Sequence, residues 1–276
     1  MNNKKIMIAG GIGLFLLVVW IAWPKQKKGE TMARTAEALG GKGAVQQLYQ
    51  QAAEAHQSGD LLKAKESYEK IVAENPDFDQ IASVQKELEQ VNMDIIFSNQ
   101  EIADRTVIHE IKAGDTLGKI AKQYNTAVEL IKRSNNLKSD TIRLGQKLRI
   151  WTGVFNIFVD KSQNILFLKE GDEVVKVYNV STGSQNSTPV GQFKIMSKLP
   201  DPVWFNRGVV VPPESPDNVL GSRWLGFDMP GYGIHGTIEP ETIGQQVTAG
   251  CVRMRNEDVE ELYSILPVGT SVVIVN

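Results

Sequence analysis

The chain has one cysteine, and a histidine lies 16 residues before it. Cys251 stands in the run TAGCVRM (residues 248–254), and His235 stands in GIHGT (residues 233–237). A thiolate is a strong nucleophile, and an imidazole can take its proton and later return it. Arg253 supplies a positive charge that can bind a carboxylate or anchor a loop. These residue types therefore allow cysteine-based acyl transfer, although an isolated cysteine is more often a small buried core residue.

The segment around these residues is predicted to be mostly β-structure with one helix. A turn at residues 170–172 separates two apolar runs and indicates a hairpin, and Asn256 can cap the helix that follows it. Glycines beside Cys251 and His235 permit tight backbone geometry, and N–H groups near Cys251 can form an oxyanion hole. The predicted strands span residues 155–159, 164–169, 173–178 and 271–275, and the predicted helix spans residues 257–266.

Five ordered motifs connect this segment with a known family. They are VSTG (180–183), TPVGQF (188–193), LGSRWLGF (220–227), GYGIHGT (231–237) and TAGCVRM (248–254). Together they resemble the L,D-transpeptidase catalytic domain, also called the YkuD domain, and we assign residues 154–276 to it. The resemblance implies a mostly-β fold, a β-sandwich with its site under a loop-built lid.

The resemblance also implies a role for individual residues. Cys251 is expected to be the nucleophile and His235 the general base and acid, with the Gly236 carbonyl orienting the His235 ring. The family commonly has Ser-His-Gly-Cys at this loop, so Ala249 replaces a histidine here, and no role of that histidine transfers to this chain. The residues expected to bind substrate or the oxyanion are Gly250, Arg253, Thr248 and Tyr232.

The implied substrate is a tetrapeptide stem of peptidoglycan. Cys251 would form a thioester with the stem, release D-Ala and transfer the acyl group to an amine, in 3→3 cross-linking or protein anchoring. No metal and no organic cofactor is implied. Two alternatives remain: water as acceptor would make an L,D-carboxypeptidase, and a degenerate site would leave a non-catalytic wall-binding adaptor. Only Ala249 favours the adaptor.

A basic module precedes the catalytic segment, at residues 106–151. Its apolar pattern predicts the order βααβ, with His109 as a plain strand residue. The runs AGDTLGKIAKQY (113–124), NNL (135–137) and LGQKLRI (144–150) resemble the LysM family, which implies binding to the glycan of peptidoglycan. The residues expected to line a shallow glycan groove are Gly114, Asp115, Thr116, Asn135 and Asn136.

Residues 44–104 are predicted to be helical, over 44–58, 61–74 and 81–102. Ala64, Tyr68 and Pro76 match part of the tetratricopeptide repeat pattern. Only one copy is visible, so the segment is either a spacer or a binding module for a protein partner.

Residues 6–23 form an uncharged apolar run that reaches the lower limit for spanning a bilayer. Bulky Trp20 and Trp23 stand where a signal-peptide cleavage site needs small residues, which favours an uncleaved single-pass anchor. Because peptidoglycan lies outside the cytoplasmic membrane, the other domains are expected outside it, in the cell envelope. The net charge of −2 excludes a bulk electrostatic attraction to nucleic acid.

Overall fold

The computed structural model describes residues 33–206 and 208–276. The predicted anchor, residues 6–23, lies outside the described residues. None of the helices in the described part combines the length and the hydropathy that crossing a bilayer requires. The described helices are α1 (Ala33–Gln57), α2 (Leu61–Glu74), α3 (Ile81–Phe97), α4 (Leu117–Tyr124), α5 (Val128–Ser134) and α6 (Asn256–Ile265).

The strands of the described part group into one large sheet and three small ribbons. They are β1 (Thr106–Glu110), β2 (Lys147–Trp151), β3 (Phe155–Asp160), β4 (Ile165–Glu170), β5 (Glu173–Asn179), β6 (Thr182–Gly183), β7 (Gly191–Pro200), β8 (Trp204–Asn206), β9 (Val209–Val211), β10 (Arg223–Phe227), β11 (Gly233–His235), β12 (Gln246–Thr248), β13 (Val252–Arg253) and β14 (Ser271–Val275). The large sheet has the order β13-β11-β10-β7-β14-β3-β4-β5. The ribbons are β1-β2, β6-β12 and β8-β9.

The catalytic segment is mostly β-structure, as predicted. Eight of its twelve described strands form one continuous curled sheet rather than two separate sheets, and β6, β8, β9 and β12 lie in two of the ribbons. The sheet is continuous because the long strand β7 belongs to both of its halves. Residues 191–194 of β7 pair with β14, and residues 195–200 pair with β10. α6 packs against β10 and β11. Placing β11 and β13 at one end of the sheet brings His235 and Arg253 opposite each other.

The predicted cap of α6 is wrong. α6 begins at Asn256 itself, and Arg255 occupies the cap position without a capping side chain. The Asn256 side chain instead bonds to the backbone of Ser222 and Thr237, which lie far away in sequence. A local capping rule cannot anticipate that competition, because the competing partners are tertiary.

The βααβ order of the basic module is confirmed as β1, α4, α5 and β2. β1 and β2 pair antiparallel, and the Thr116 hydroxyl accepts a hydrogen bond from the Lys119 N–H at the start of α4. Ile111, Ile120 and Leu148 belong to a small hydrophobic core of the module's own.

The helical segment packs on the catalytic domain rather than standing apart from it. The Asn92 amide on α3 donates to the Val175 carbonyl of β5 at 3.1 Å. Arg149, on β2, donates to two carbonyls at the end of α3. One hydrophobic core runs through the helices and the large sheet, so residues 43–276 form a single compact unit. α3 ends at Phe97, earlier than predicted, because Ser98 is extended.

Candidate active site

One cavity of about 510 Å³ collects three of the predicted chemical residues, Cys251, His235 and Arg253. Thr248 and Ala249 lie on the same wall. The remaining wall is almost entirely apolar or aromatic and consists of Leu199, Pro202, Val203, Trp204, Phe205, Val219, Leu220, Trp224, Gly231 and Val247. An apolar wall around a nucleophile strengthens the electrostatic interactions that form inside it.

His235 is held from two sides. Trp224 on β10 is its cross-strand partner, and the two rings stack with centroids 5.9 Å apart. The Nδ1 atom lies 2.7 Å from the Gly236 carbonyl oxygen. A carbonyl only accepts hydrogen bonds, so Nδ1 carries the proton and Nε2 keeps its lone pair while the ring is neutral.

The His235 ring is neutral at physiological pH. Burial, the larger effect, and the charge on Arg253 together lower the pKa of His235 to about 4, against the opposing effect of the Gly236 carbonyl. A neutral imidazole with a free Nε2 lone pair is the form that can remove a proton.

Asn256 fixes the loop that presents the Gly236 carbonyl. Its Oδ1 accepts from the N–H groups of Thr237 at 3.0 Å and Ser222 at 3.1 Å, and its Nδ2 donates to the Thr237 carbonyl at 2.9 Å. A Cβ at Gly236 would collide with Asn256 Oδ1, so this position needs glycine. Sequence reasoning missed Asn256 as a site residue, and only its closeness in sequence to Cys251 could have suggested it.

The Cys251 side chain is half-buried, and its Sγ lies 3.5 Å from the Gly231 carbonyl oxygen. The Thr248 hydroxyl donates to the Cys251 carbonyl at 2.7 Å and accepts from the Gly250 N–H at 3.2 Å. Burial raises the pKa of the Cys251 thiol, while a Gly233 backbone hydrogen bond and the charge on Arg253 oppose the rise. The cavity therefore holds a neutral thiol and a neutral imidazole.

Tyr232 packs against Gly250, where an added Cβ would lie 2.7 Å from Tyr232 Cε1. Its substrate-binding role stays a prediction. Gly250 has a φ of +135°, which side chains rarely adopt. Trp204 and Trp224 line the cavity instead.

Arg253 anchors a loop. Its Nη1 lies 2.7 Å from Glu239 Oε2 and 3.0 Å from Thr242 Oγ1. Its Nε is buried and finds no hydrogen-bond partner among the residues that the structure describes. Of the two roles the sequence allows for this residue, these hydrogen bonds favour loop anchoring, and the side chain also lines the cavity.

Three of the predicted glycan residues, Asp115, Thr116 and Asn135, also make hydrogen bonds within the module, and glycan binding by the predicted set stays a prediction. Asp115 accepts from the Lys112 N–H at 2.8 Å and pairs with His109 at 2.9 Å, so His109 is more than a plain strand residue. Gly114 turns the chain with a φ of +86°. The Asn135 amide bonds to both the N–H and the carbonyl of Arg149. Asn136 lines a separate open cavity at residues 136–146.

Two family models match the chain. The L,D-transpeptidase catalytic domain (YkuD) matches residues 155–274, and the LysM domain matches residues 109–151. A relative in Bacillus licheniformis, YkuD, is 34% identical over 61% of this chain and 98% of its own length, and carries an L,D-transpeptidase name. This chain belongs to the L,D-transpeptidase family. The YkuD protein of Bacillus subtilis is 32% identical over 60% of this chain and 97% of its own length. Another relative from that species, YqjB, is 40% identical over 43% of this chain and 69% of its own length.

The L,D-transpeptidase is thus a cysteine-dependent acyltransferase of peptidoglycan. Its LysM domain indicates binding to the same polymer. The tetratricopeptide likeness of the helical segment stays a prediction.

Proposed function

We propose that this L,D-transpeptidase forms a thioester between Cys251 and the third residue of a tetrapeptide stem. The Cys251 sulfur attacks the carbonyl carbon of the bond to the terminal D-Ala, and His235 takes the thiol proton. The carbon–nitrogen bond breaks, His235 returns the proton to the departing amine, and D-Ala leaves. An acceptor amine then attacks the thioester carbonyl carbon and gives a proton to His235. The carbon–sulfur bond breaks, and His235 passes that proton to the Cys251 sulfur, which restores the thiol.

The observation that carries this proposal is the shared cavity of Cys251 and His235, with His235 Nδ1 fixed by the Gly236 carbonyl. Cys251 is also the only cysteine in the chain, so a cysteine-dependent reaction has no other nucleophile of that type. The neutral imidazole favours a mechanism in which His235 removes the thiol proton during attack.

The oxyanion of the tetrahedral intermediate needs donors beside Cys251. The Gly250 N–H donates to the Thr248 hydroxyl, so the Cys251 N–H is the backbone donor that we assign to the oxyanion. Thr248 also bonds to the Cys251 carbonyl, and so holds the peptide on both sides of the nucleophile.

The other modules place this chemistry on the cell wall. LysM holds the enzyme on the glycan through the turns at Gly114, Asp115 and Thr116 and at Asn135 and Asn136. Residues 6–23 anchor the chain in the cytoplasmic membrane as a single-pass segment, with all other domains outside the cytoplasm in the cell envelope. The helical segment supports the catalytic domain at β5 and serves as a binding module for a protein partner.

The decisive experiment uses residues 43–276, the compact unit, beside a Cys251→Ala variant. Each protein is mixed with purified disaccharide-tetrapeptide, and intact mass spectrometry follows the protein and the products. We expect a transient adduct on wild-type protein, D-Ala release and a cross-linked dimer, with none of these from Cys251→Ala.

Other outcomes separate the alternatives. D-Ala release without any dimer, even when D-amino acids or lysine-containing peptides are supplied, would identify an L,D-carboxypeptidase. A folded protein that binds peptidoglycan but forms no adduct would contradict the thioester mechanism and favour the wall-binding adaptor. Anchoring is tested separately, by comparing the membrane fractions of cells that express the full chain or residues 43–276, and by protease digestion of spheroplasts.

A further inference from the structure

Lys161 is a buried lysine with an unusual set of partners. Its side chain is only 3% exposed, and it directly follows β3. Its Nζ donates to the Thr188 carbonyl at 2.6 Å and to the Asn186 carbonyl at 3.2 Å. Within the described part of the chain, no carboxylate forms an ion pair with it. Burying an ammonium group without a counterion costs free energy. The hydrogen bonds to these two carbonyls offset part of that cost, so their geometry must be well defined.

The carbonyls that Lys161 holds belong to a tight loop at residues 183–188. Gln185 and Asn186 have φ values of 50° and 62°, in the left-handed region that side chains rarely adopt. The Thr188 hydroxyl accepts from the Gly183 N–H at 2.7 Å and closes the loop. Left-handed conformations persist only where surrounding contacts enforce them, and Lys161 supplies two such contacts.

This loop packs directly against the backbone that precedes the nucleophile. Gly183 on β6 pairs with Thr248 on β12, the residue that bonds to the Cys251 carbonyl. A Cβ added at Gly250 would lie 3.2 Å from the Ser187 carbonyl oxygen, and one added at Gly183 would lie 3.0 Å from the Gly250 Cα. The loop and the nucleophile segment are therefore in close contact, with no room for an added methyl group between them.

We propose that Lys161 is a positioning residue for the reaction. Through its two hydrogen bonds it holds loop 183–188 against Gly250. In this way it fixes the backbone that carries Cys251 and its oxyanion donor. The inference rests on the proposed role of Cys251. The effect is one of geometry, since the charge that bears on the Cys251 thiol is that of Arg253.

The test compares Lys161→Met with Lys194→Met, which removes an exposed lysine from β7 of the same sheet. Steady-state kinetics are measured with disaccharide-tetrapeptide, together with the pH dependence of Cys251 alkylation by iodoacetamide. We expect Lys161→Met to lower kcat by roughly 10- to 100-fold with KM little changed, the effect of a nucleophile misplaced by a fraction of an ångström. The thiol pKa read from alkylation should stay at its wild-type value.

Three results would overturn the inference while leaving the thioester mechanism intact. The first is a Lys161→Met enzyme with the kcat of Lys194→Met. The second is a loss of activity confined to KM, which would indicate substrate binding, and the third is a shifted thiol pKa, which would indicate electrostatics. If Lys161→Met does not fold, Thr188→Val takes its place, because it opens the same loop at the Gly183 N–H and should lower kcat in the same way. If wild-type protein forms no Cys251 adduct, the mechanism and the inference fail together.

Discussion

His235 Nδ1 lies 2.7 Å from the carbonyl oxygen of Gly236, its own neighbour in the chain. In many catalytic triads a carboxylate side chain holds the imidazole, and here a backbone carbonyl does so. No substitution of a side chain can delete that carbonyl. Its direction can be changed through a residue that holds the loop, and Asn256 is such a residue.

Replacing Asn256 with Ala should therefore lower activity without touching Cys251 or His235. The change leaves the N–H groups of Thr237 and Ser222 without their acceptor, at a cost of about 1–3 kcal/mol in the free energy of unfolding. We expect kcat to fall at least tenfold as the His235 ring loses its fixed direction. Chemical denaturation and steady-state kinetics measure the two effects. Asn156→Ala removes a single exposed hydrogen bond in the same sheet and is the matched control. Equal kcat values in the two variants would contradict the role of Asn256.

On the acid side, kcat/KM should fall only at an unusually low pH. Burial lowers the pKa of His235 to about 4 and raises the pKa of the Cys251 thiol. The reactive form, with both groups neutral, then persists from mildly acidic to alkaline pH. We expect kcat/KM to fall only as the pH approaches about 4, and again above the ordinary range of a thiol. An acid limb between about pH 6 and 7, the ordinary range of histidine, would contradict the neutral buried imidazole.

The same burial predicts how stability changes with pH. The unfolded chain binds a proton on His235 near pH 6.5, whereas the folded chain resists protonation until about pH 4. The contribution of the neutral His235 to the free energy of unfolding is therefore fully present above pH 6.5, and it is lost as the pH falls to about 4. Relative to His235→Asn, wild-type protein should lose about 3 kcal/mol over that window. Denaturation of both proteins at several pH values checks this, and parallel curves would contradict it.

Gly250 should tolerate no side chain. An Ala there combines a φ of +135° with an approach of 2.7 Å to Tyr232 Cε1. We expect Gly250→Ala to reduce the free energy of unfolding by about 1–3 kcal/mol and to lower kcat at least tenfold. Gly244→Ala is the control, since it has a positive φ but nothing within 4 Å of the added Cβ. Should Gly250→Ala match Gly244→Ala in both measurements, the close packing under the nucleophile would be unimportant.

The family and the chemical residues could be read from the sequence because they lie in short runs. TAGCVRM and GIHGT contain Cys251 and His235 within a few residues of their glycines. The hairpin of β4 and β5 and the βααβ order of LysM were likewise predictable, since apolar periodicity and turn residues act over a few positions.

The supports of the site were decided only by the tertiary structure. Asn256 was predicted as a helix cap and instead bonds to Ser222, 34 residues away. Lys161 reaches the loop carbonyl of Thr188 across 27 residues, and Asn92 reaches Val175 across 83. These hydrogen bonds join polar groups that are buried and cannot bond to water. Each side chain therefore bonds to a polar group that the fold places within reach. The local sequence pattern cannot predict these partners, because their identity depends on which strands and loops become neighbours in the fold.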